Sequence, residues 1–99
     1  MKFNLVDKYA DNEKELMRKC GYFLFYNRKT KKYSYIRKLS NIQDFPRFHI
    51  FIERTDSHIK FDLHLDQKKT SYSGYKAHSG EKDSEVVMRE IERIKNVLN

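Results

Sequence analysis

The chain has 99 residues, a formal net charge of +7 and a sequence pI near 9.5. Seven Tyr and seven Phe beside one Pro and three Gly exclude a disordered tail and predict a folded domain. No apolar run reaches the roughly 18 residues of a transmembrane helix. The start MKFNLVDKYADNE lacks the apolar segment of a secretory signal, and the single cysteine, Cys20, excludes an intrachain disulfide. We therefore expect one domain over residues 1–99 that resides in the cytoplasm and makes no membrane contact.

The first predicted element is a helix that begins after Asn12. Asn12 and Glu15 form the N-x-x-E pattern of a capping box, and Gly21 is the residue type that most often ends a helix. Apolar residues follow the cap at helical spacing: Leu16, Met17 and Cys20. Leu5 and Tyr9 are four residues apart, so the sequence leaves open whether the helix begins earlier.

Two β-hairpins are predicted next. The segment YFLFYNRKTKKYSYIRKL reads as two aromatic strands around a polar turn near Asn27–Thr30. RFHIFIER and HIKFDLHLD predict the second hairpin, with a turn at Thr55–Asp56, and Pro46 marks where its first strand can begin.

The rest of the chain predicts a long polar loop over residues 67–82 and a helix from Asp83 to the end. The helix carries one apolar face: Val87, Met88, Ile91, Ile94 and Leu98. The order α-β-β-β-β-α predicts an α+β domain with a four-stranded, mainly antiparallel sheet and both helices on one side. The other side is expected to stay open or to be covered by the loop.

The segment HIKFDLHLD places four apolar residues on one side of its strand and five ionisable ones on the other. Pairing Ile50 with Phe61 puts all large aliphatic residues of the second hairpin toward the helices. The same register sets His49 opposite Asp62 on the other side. We therefore predict a polar site there, with His78 brought in by the loop: His49, Asp62, His64, Asp66 and His78.

Positive charge is concentrated in the first hairpin and its flanks. Between Leu16 and Gln43 there are eight basic residues and no acidic one, and such a surface attracts polyanions. We therefore expect a binding protein rather than an enzyme, with nucleic acid, single-stranded or RNA, as its partner. The predicted phosphate contacts are Lys29, Lys31, Lys32, Arg37 and Lys38, and the predicted stacking surfaces are Tyr33 and Tyr35.

Three other interpretations stay open. The polar site could bind a transition metal such as zinc, or its His–Asp pair could transfer protons, although no HExxH or CxxC motif is present. No cofactor is otherwise predicted, and no catalytic residue follows from the sequence. The Tyr-rich hairpin could instead bind an acidic protein partner. In the last of these interpretations the charged side chains serve only solubility.

The segment HLDQKKTSYSGYKAHSGE resembles part of a family of small bacterial proteins of about this length, for which no activity is established. The resemblance covers mainly residues 58–95. It implies that this strand and the following loop identify the family, and it assigns no role to any residue.

Overall fold

The computed structural model describes the main chain of residues 1–67 and 80–99, and the side chains of residues 1–67 and 84–99. Its elements are β1 (Lys2–Val6), α1 (Glu13–Lys19), β2 (Phe23–Asn27), β3 (Lys32–Lys38), β4 (Arg47–Arg54), β5 (His58–Asp66) and α2 (Gly80–Leu98). The strands form one antiparallel sheet in the order β1-β5-β4-β3-β2. The α+β class and both predicted hairpins are confirmed.

The sheet has five strands rather than the predicted four, because the chain begins with strand β1. In KFNLV, Phe3 and Leu5 lie opposite Phe61 and Ile59 and pack against the core, whereas Lys2 and Asn4 point to the other side of the sheet. The alternation ends at the two successive apolar residues Leu5 and Val6, and the four-residue spacing of Leu5 and Tyr9 also fits a helix. The element order is therefore β-α-β-β-β-β-α.

Helix α1 begins and ends as its sequence predicts. The Asn12 side chain accepts a 2.9 Å hydrogen bond from the Glu15 main-chain N–H and donates one of 2.8 Å to the Glu15 carboxylate. At the other end Gly21 has a φ of 88°, which favours glycine, and the Tyr22 N–H donates to the Met17 carbonyl at 2.8 Å. The helix therefore stops where the chain turns into β2.

The hydrophobic core lies between one side of the sheet and the two helices. Its α2 members are Val87, Ile91, Ile94 and Leu98. Met88, predicted to belong to this face, is 57% exposed. The predicted loop over residues 67–82 was placed too far along the chain at its C-terminal end, because α2 begins at Gly80 and not at Asp83. Residues 68–79 lie outside the described residues.

A buried polar group joins α2 to the first hairpin. The Glu90 side chain is 4% exposed and accepts a 2.6 Å hydrogen bond from the Tyr22 hydroxyl. Arg93 donates two hydrogen bonds of 2.8 Å to the same carboxylate, and these bonds offset the cost of burying the Glu90 charge. Burial, and then this hydrogen bond, raise the pKa of Tyr22.

Candidate functional site

The side of the sheet that faces away from the helices, here called the open face, carries a mixed polar and aromatic surface. Its cations are Lys2, Lys32, Lys38, Arg47 and Lys60, and its carboxylates are Glu53, Asp62 and Asp66. Near its centre lie Phe25, Ser34, His49, Phe51 and His64. Because five cations face three carboxylates, the open face is net positive while its histidines are neutral.

Two histidines meet at the centre of the open face, because the β4–β5 register sets His49 opposite His64. Each imidazole lies beside its own carboxylate. His49 Nδ1 is 3.3 Å from Asp66 Oδ2, and His64 Nε2 is 3.2 Å from Asp62 Oδ1. We call these contacts the two His–Asp pairs.

The predicted pairing of His49 with Asp62 is wrong, although both residues lie on the predicted side of the sheet. The hairpin turns at residues 56–57 and not at Thr55–Asp56: the Thr55 N–H donates to the His58 carbonyl at 2.8 Å, which closes the turn. The register therefore differs by two residues from the predicted one. A shift of two keeps every side chain on its side and changes only its neighbours.

Ser34 on β3 extends one of the pairs. His49 Nε2 lies 2.6 Å from Ser34 Oγ. A carboxylate beside Nδ1 favours the imidazole tautomer with its proton on Nδ1, so Nε2 accepts the hydrogen bond from the Ser34 hydroxyl. Ser34, His49 and Asp66 thus form a continuous chain across three strands. The sequence analysis missed Ser34, because a lone serine on a strand carries no signal of its cross-strand neighbour.

The second pair is more open to solvent. The His64 side chain is 47% exposed, compared with 16% for His49. Its Nε2 lies beside Asp62, and its Nδ1 forms no hydrogen bond within the described part of the chain.

Both aspartates of the pairs are held in their charged form. Burial alone would raise the pKa of Asp66, but contact with His49 and the charge of Arg47 outweigh it, so this pKa lies below its usual value. At Asp62 burial is likewise outweighed, here chiefly by His64, and the pKa is lowered. Ionised carboxylates accept hydrogen bonds from the imidazoles beside them and so orient the rings.

Arg47 is held beside the two His–Asp pairs by aromatic rings. Its guanidinium carbon lies 4.4 Å from the centre of the Phe45 ring and 5.0 Å from that of Phe25. Its Nε is 3.8 Å from Asp66 Oδ2 and, within the described residues, is a buried donor without a hydrogen-bond partner. The two rings restrict the side chain and keep its charge next to His49.

Phe51 stands between two shallow cavities of the open face. One has a volume of about 420 Å³ and is lined by Asn27, Thr30, Lys32, Ser34, His49 and Phe51. The other, of about 520 Å³, has Lys2, Lys60 and Asp62 beside Phe51. Both lie within the range of roughly 300–1,000 Å³ that is typical of ligand sites. The Phe51 residue is 37% exposed, so its ring is accessible from these cavities.

The predicted nucleic-acid contacts are divided between the two sides of the sheet. Lys32 and Lys38 belong to the open face, and Lys29 and Lys31 lie in the adjoining β2–β3 turn. Lys38 also forms a 2.9 Å ion pair with Asp44. These four lysines remain candidates for phosphate contacts.

The other three predicted contacts alternate with Lys32 and Lys38 along β3 and therefore lie on the helix side: Tyr33, Tyr35 and Arg37. Tyr35 is buried and its hydroxyl donates to Glu13 at 2.8 Å, so its ring has no free surface for a base. Arg37 Nη1 is 3.4 Å from the buried Glu90 carboxylate. Only Tyr33, which is 65% exposed, offers an accessible ring.

The predicted metal ligands that the structure describes do not converge. Within residues 1–67 and 84–99, no group of three or more His, Cys, Asp or Glu side chains is placed to hold a metal ion. His49, His64 and their aspartates instead contact one another as two separate pairs. His78 lies outside the described residues.

The chain matches no protein-family model, no curated protein and no solved structure. Neither helix, over its described residues, combines the length and apolar character needed to cross a bilayer.

Proposed function

We propose that the protein binds single-stranded nucleic acid, RNA above all, along the open face. The observation that carries this proposal is the position of Phe51, an accessible ring between two cavities that both have lysines in their walls. A flat ring offers a stacking surface to an unpaired base, and ammonium groups at either side offer contacts to its phosphates.

The lysines beside Phe51 form no ion pair within residues 1–67 and 84–99. Lys32 lines one cavity, and Lys2 and Lys60 line the other. None of these three forms an ion pair with any described residue, so their charges remain available for phosphates. Lys29 and Lys31 continue the positive surface beyond Lys32 at the tip of the first hairpin. Such contacts displace counterions, and they contribute the salt-dependent part of the affinity.

The carboxylates of the open face do not cancel this attraction. Asp62 and Asp66 are the acids nearest the centre, and Asp62 Oδ1 lies 3.4 Å from the N-terminal ammonium of Met1. Arg47 adds a fixed positive charge beside Asp66. Phosphate repulsion is therefore offset where a strand would cross the two His–Asp pairs.

The aromatic side chains favour a single strand over a duplex. The imidazole of His64 lies 6.3 Å from the Phe51 ring, edge to face, so two accessible rings are neighbours on the open face. Bases in a duplex are already stacked and paired inside the helix, where a sheet surface does not reach them. Splayed bases of a single strand can lie on Phe51 and beside His64.

Fluorescence anisotropy of a labelled single-stranded RNA, with the matching duplex as a comparison, tests the proposal. One stacked base contributes about 1–3 kcal/mol, so Phe51→Ala is expected to weaken binding by about 5- to 150-fold. Tyr33→Ala, which removes a more exposed ring on the helix side, is the matched control and should leave the affinity unchanged. Absence of binding at low salt, or a loss in Tyr33→Ala alone, would refute the open face as the binding surface.

A further inference from the structure

We propose that a third cavity, at one end of the open face, binds the terminal phosphate of the RNA strand. This inference rests on the proposed function, because it names the part of the RNA that this end of the face holds. The cavity, here called the end cavity, has a volume of about 890 Å³, within the range typical of ligand sites. Three cations, one carboxylate and two phenylalanines stand in its wall: Arg28, Lys29, Arg47, Asp66, Phe25 and Phe45.

Arg47 has unused hydrogen-bond donors in the wall of the end cavity. Its guanidinium donates no hydrogen bond to any described residue, and its Nε is a buried donor 3.8 Å from Asp66 Oδ2. A buried donor without a partner costs free energy, which an oxygen of a bound anion would recover. The rings of Phe25 and Phe45, 5.0 and 4.4 Å away, hold the guanidinium in place before a ligand binds. A guanidinium fixed in this way suits the paired oxygens of a phosphate.

The charges of the end cavity match a phosphomonoester better than a phosphodiester. Arg28 and Lys29 are exposed, and neither forms an ion pair with a described residue. The lowered pKa of Asp66 keeps this carboxylate charged, so the three cations beside it leave a net charge of +2. A phosphate at the end of a strand carries about −1.5 to −2 charges near pH 7, whereas a phosphate within the strand carries about −1. The end of the strand therefore neutralises the cavity more completely.

The end cavity lies where a strand bound on Phe51 would leave the sheet. The ring of His49 is 4.7 Å from that of Phe51 and 6.4 Å from that of Phe25, so three neighbouring rings lead from Phe51 into the cavity. Arg47 is the first residue of β4 and Asp66 is the last residue of β5. In the described part of the chain, the open face thus ends at the cavity. A terminal nucleotide needs no sheet surface beyond it.

The first experiment measures the affinity of the protein for one short single-stranded RNA that carries different ends. The forms compared have hydroxyls at both ends, a 5′-phosphate, a 3′-phosphate, or the more favourable of these two phosphates blocked as its methyl ester. We expect a phosphate at one end to raise the affinity by about 10-fold over the hydroxyl form, because hydrogen bonds between charged groups are strong. The methyl ester, which carries a single negative charge, should lose most of this gain.

The second experiment assigns the gain to the end cavity through the ratio of the affinities for phosphorylated and hydroxyl-ended RNA. Arg28→Gln combined with Lys29→Gln removes two exposed cations and should abolish most of the gain, whatever its effect on hydroxyl-ended RNA. Arg47→Lys keeps the charge but removes the planar donors, and it should reduce the ratio as well. Lys14→Gln combined with Arg18→Gln removes the same charges from exposed sites on α1 and should leave the ratio unchanged. If Arg47→Lys unfolds, the variant at the two exposed sites still decides the question.

Four outcomes would overturn the inference. Hydroxyl-ended RNA that binds, with no gain from a phosphate at either end, would refute the phosphate site and leave the proposed function in place. RNA that binds in none of its forms would refute both. A gain that persists in Arg28→Gln with Lys29→Gln would come from charges outside the end cavity. Adenosine 5′-monophosphate that binds as tightly as phosphorylated RNA would show that the cavity takes a free nucleotide and not the end of a strand.

Discussion

His49 Nδ1 lies 3.3 Å from Asp66 Oδ2, so the histidine of β4 pairs with the last residue of β5 rather than with Asp62. The contact follows from the two-residue turn between β4 and β5, which also sets His49 opposite His64. The second pair, His64 with Asp62, lies within β5 and does not depend on the register.

Asp66→Asn should destabilise the fold most near neutral pH. The pKa of Asp66 is lowered in the folded chain, so its stabilising effect is complete above the unfolded value of about 3.9 and is lost as the pH falls through the folded value. We expect the Tm difference between wild type and variant to shrink below about pH 4. Circular dichroism melts over a pH series measure this, with Asp56→Asn in the exposed turn as the control. A difference that grows on acidification would contradict the assignment.

Tyr22→Phe should lower the free energy of unfolding by about 1–3 kcal/mol. The Tyr22 hydroxyl donates to the buried Glu90 carboxylate at 2.6 Å, and phenylalanine keeps the ring while removing this donor. Urea unfolding measures the change, and Tyr33→Phe at an exposed site should cost almost nothing. Equal effects of the two substitutions would show that the Tyr22–Glu90 hydrogen bond does not stabilise the fold.

Cys20 should not react with thiol reagents while the protein is folded. Its side chain is fully buried, and burial raises the pKa of the thiol to about 11, so little thiolate exists at pH 8. An aromatic disulfide reagent should label the protein in denaturant and leave it unlabelled in native buffer. Rapid labelling in native buffer would mean that the core between α1 and α2 opens readily.

The side of the sheet on which each residue of the second hairpin lies was predictable from sequence. In HIKFDLHLD the alternation has a period of two, so Ile59, Phe61 and Leu63 face the helices and Asp62 and His64 face away, as expected. Capping of α1 was equally predictable, because the interactions of Asn12 and Gly21 are local. These features depend only on neighbours in the chain.

The contacts of the candidate site were not predictable for the same reason. Whether His49 meets Asp62 or Asp66 depends on the position of one turn, and the sequence permitted both. The β3 tyrosines were assigned as stacking surfaces from composition alone. Tyr35 lies opposite the core residue Ile50 and is itself buried, whereas Phe51, the next residue on β4, points to the open face. Strand β1 was missed because its partner β5 lies far along the chain.

The slope of log affinity against log salt, measured with single-stranded RNA, tests the central claim most directly. The open-face variant Lys2→Gln, Lys32→Gln, Lys60→Gln is compared with the helix-side variant Lys14→Gln, Arg18→Gln, Arg89→Gln, which loses the same charge from exposed sites. Each phosphate contact on a single strand contributes about 0.7 to the slope, so the open-face variant should lose about 2 and the helix-side variant nothing. Equal slopes in both variants, or a wild-type affinity that does not depend on salt, would contradict phosphate binding on the open face.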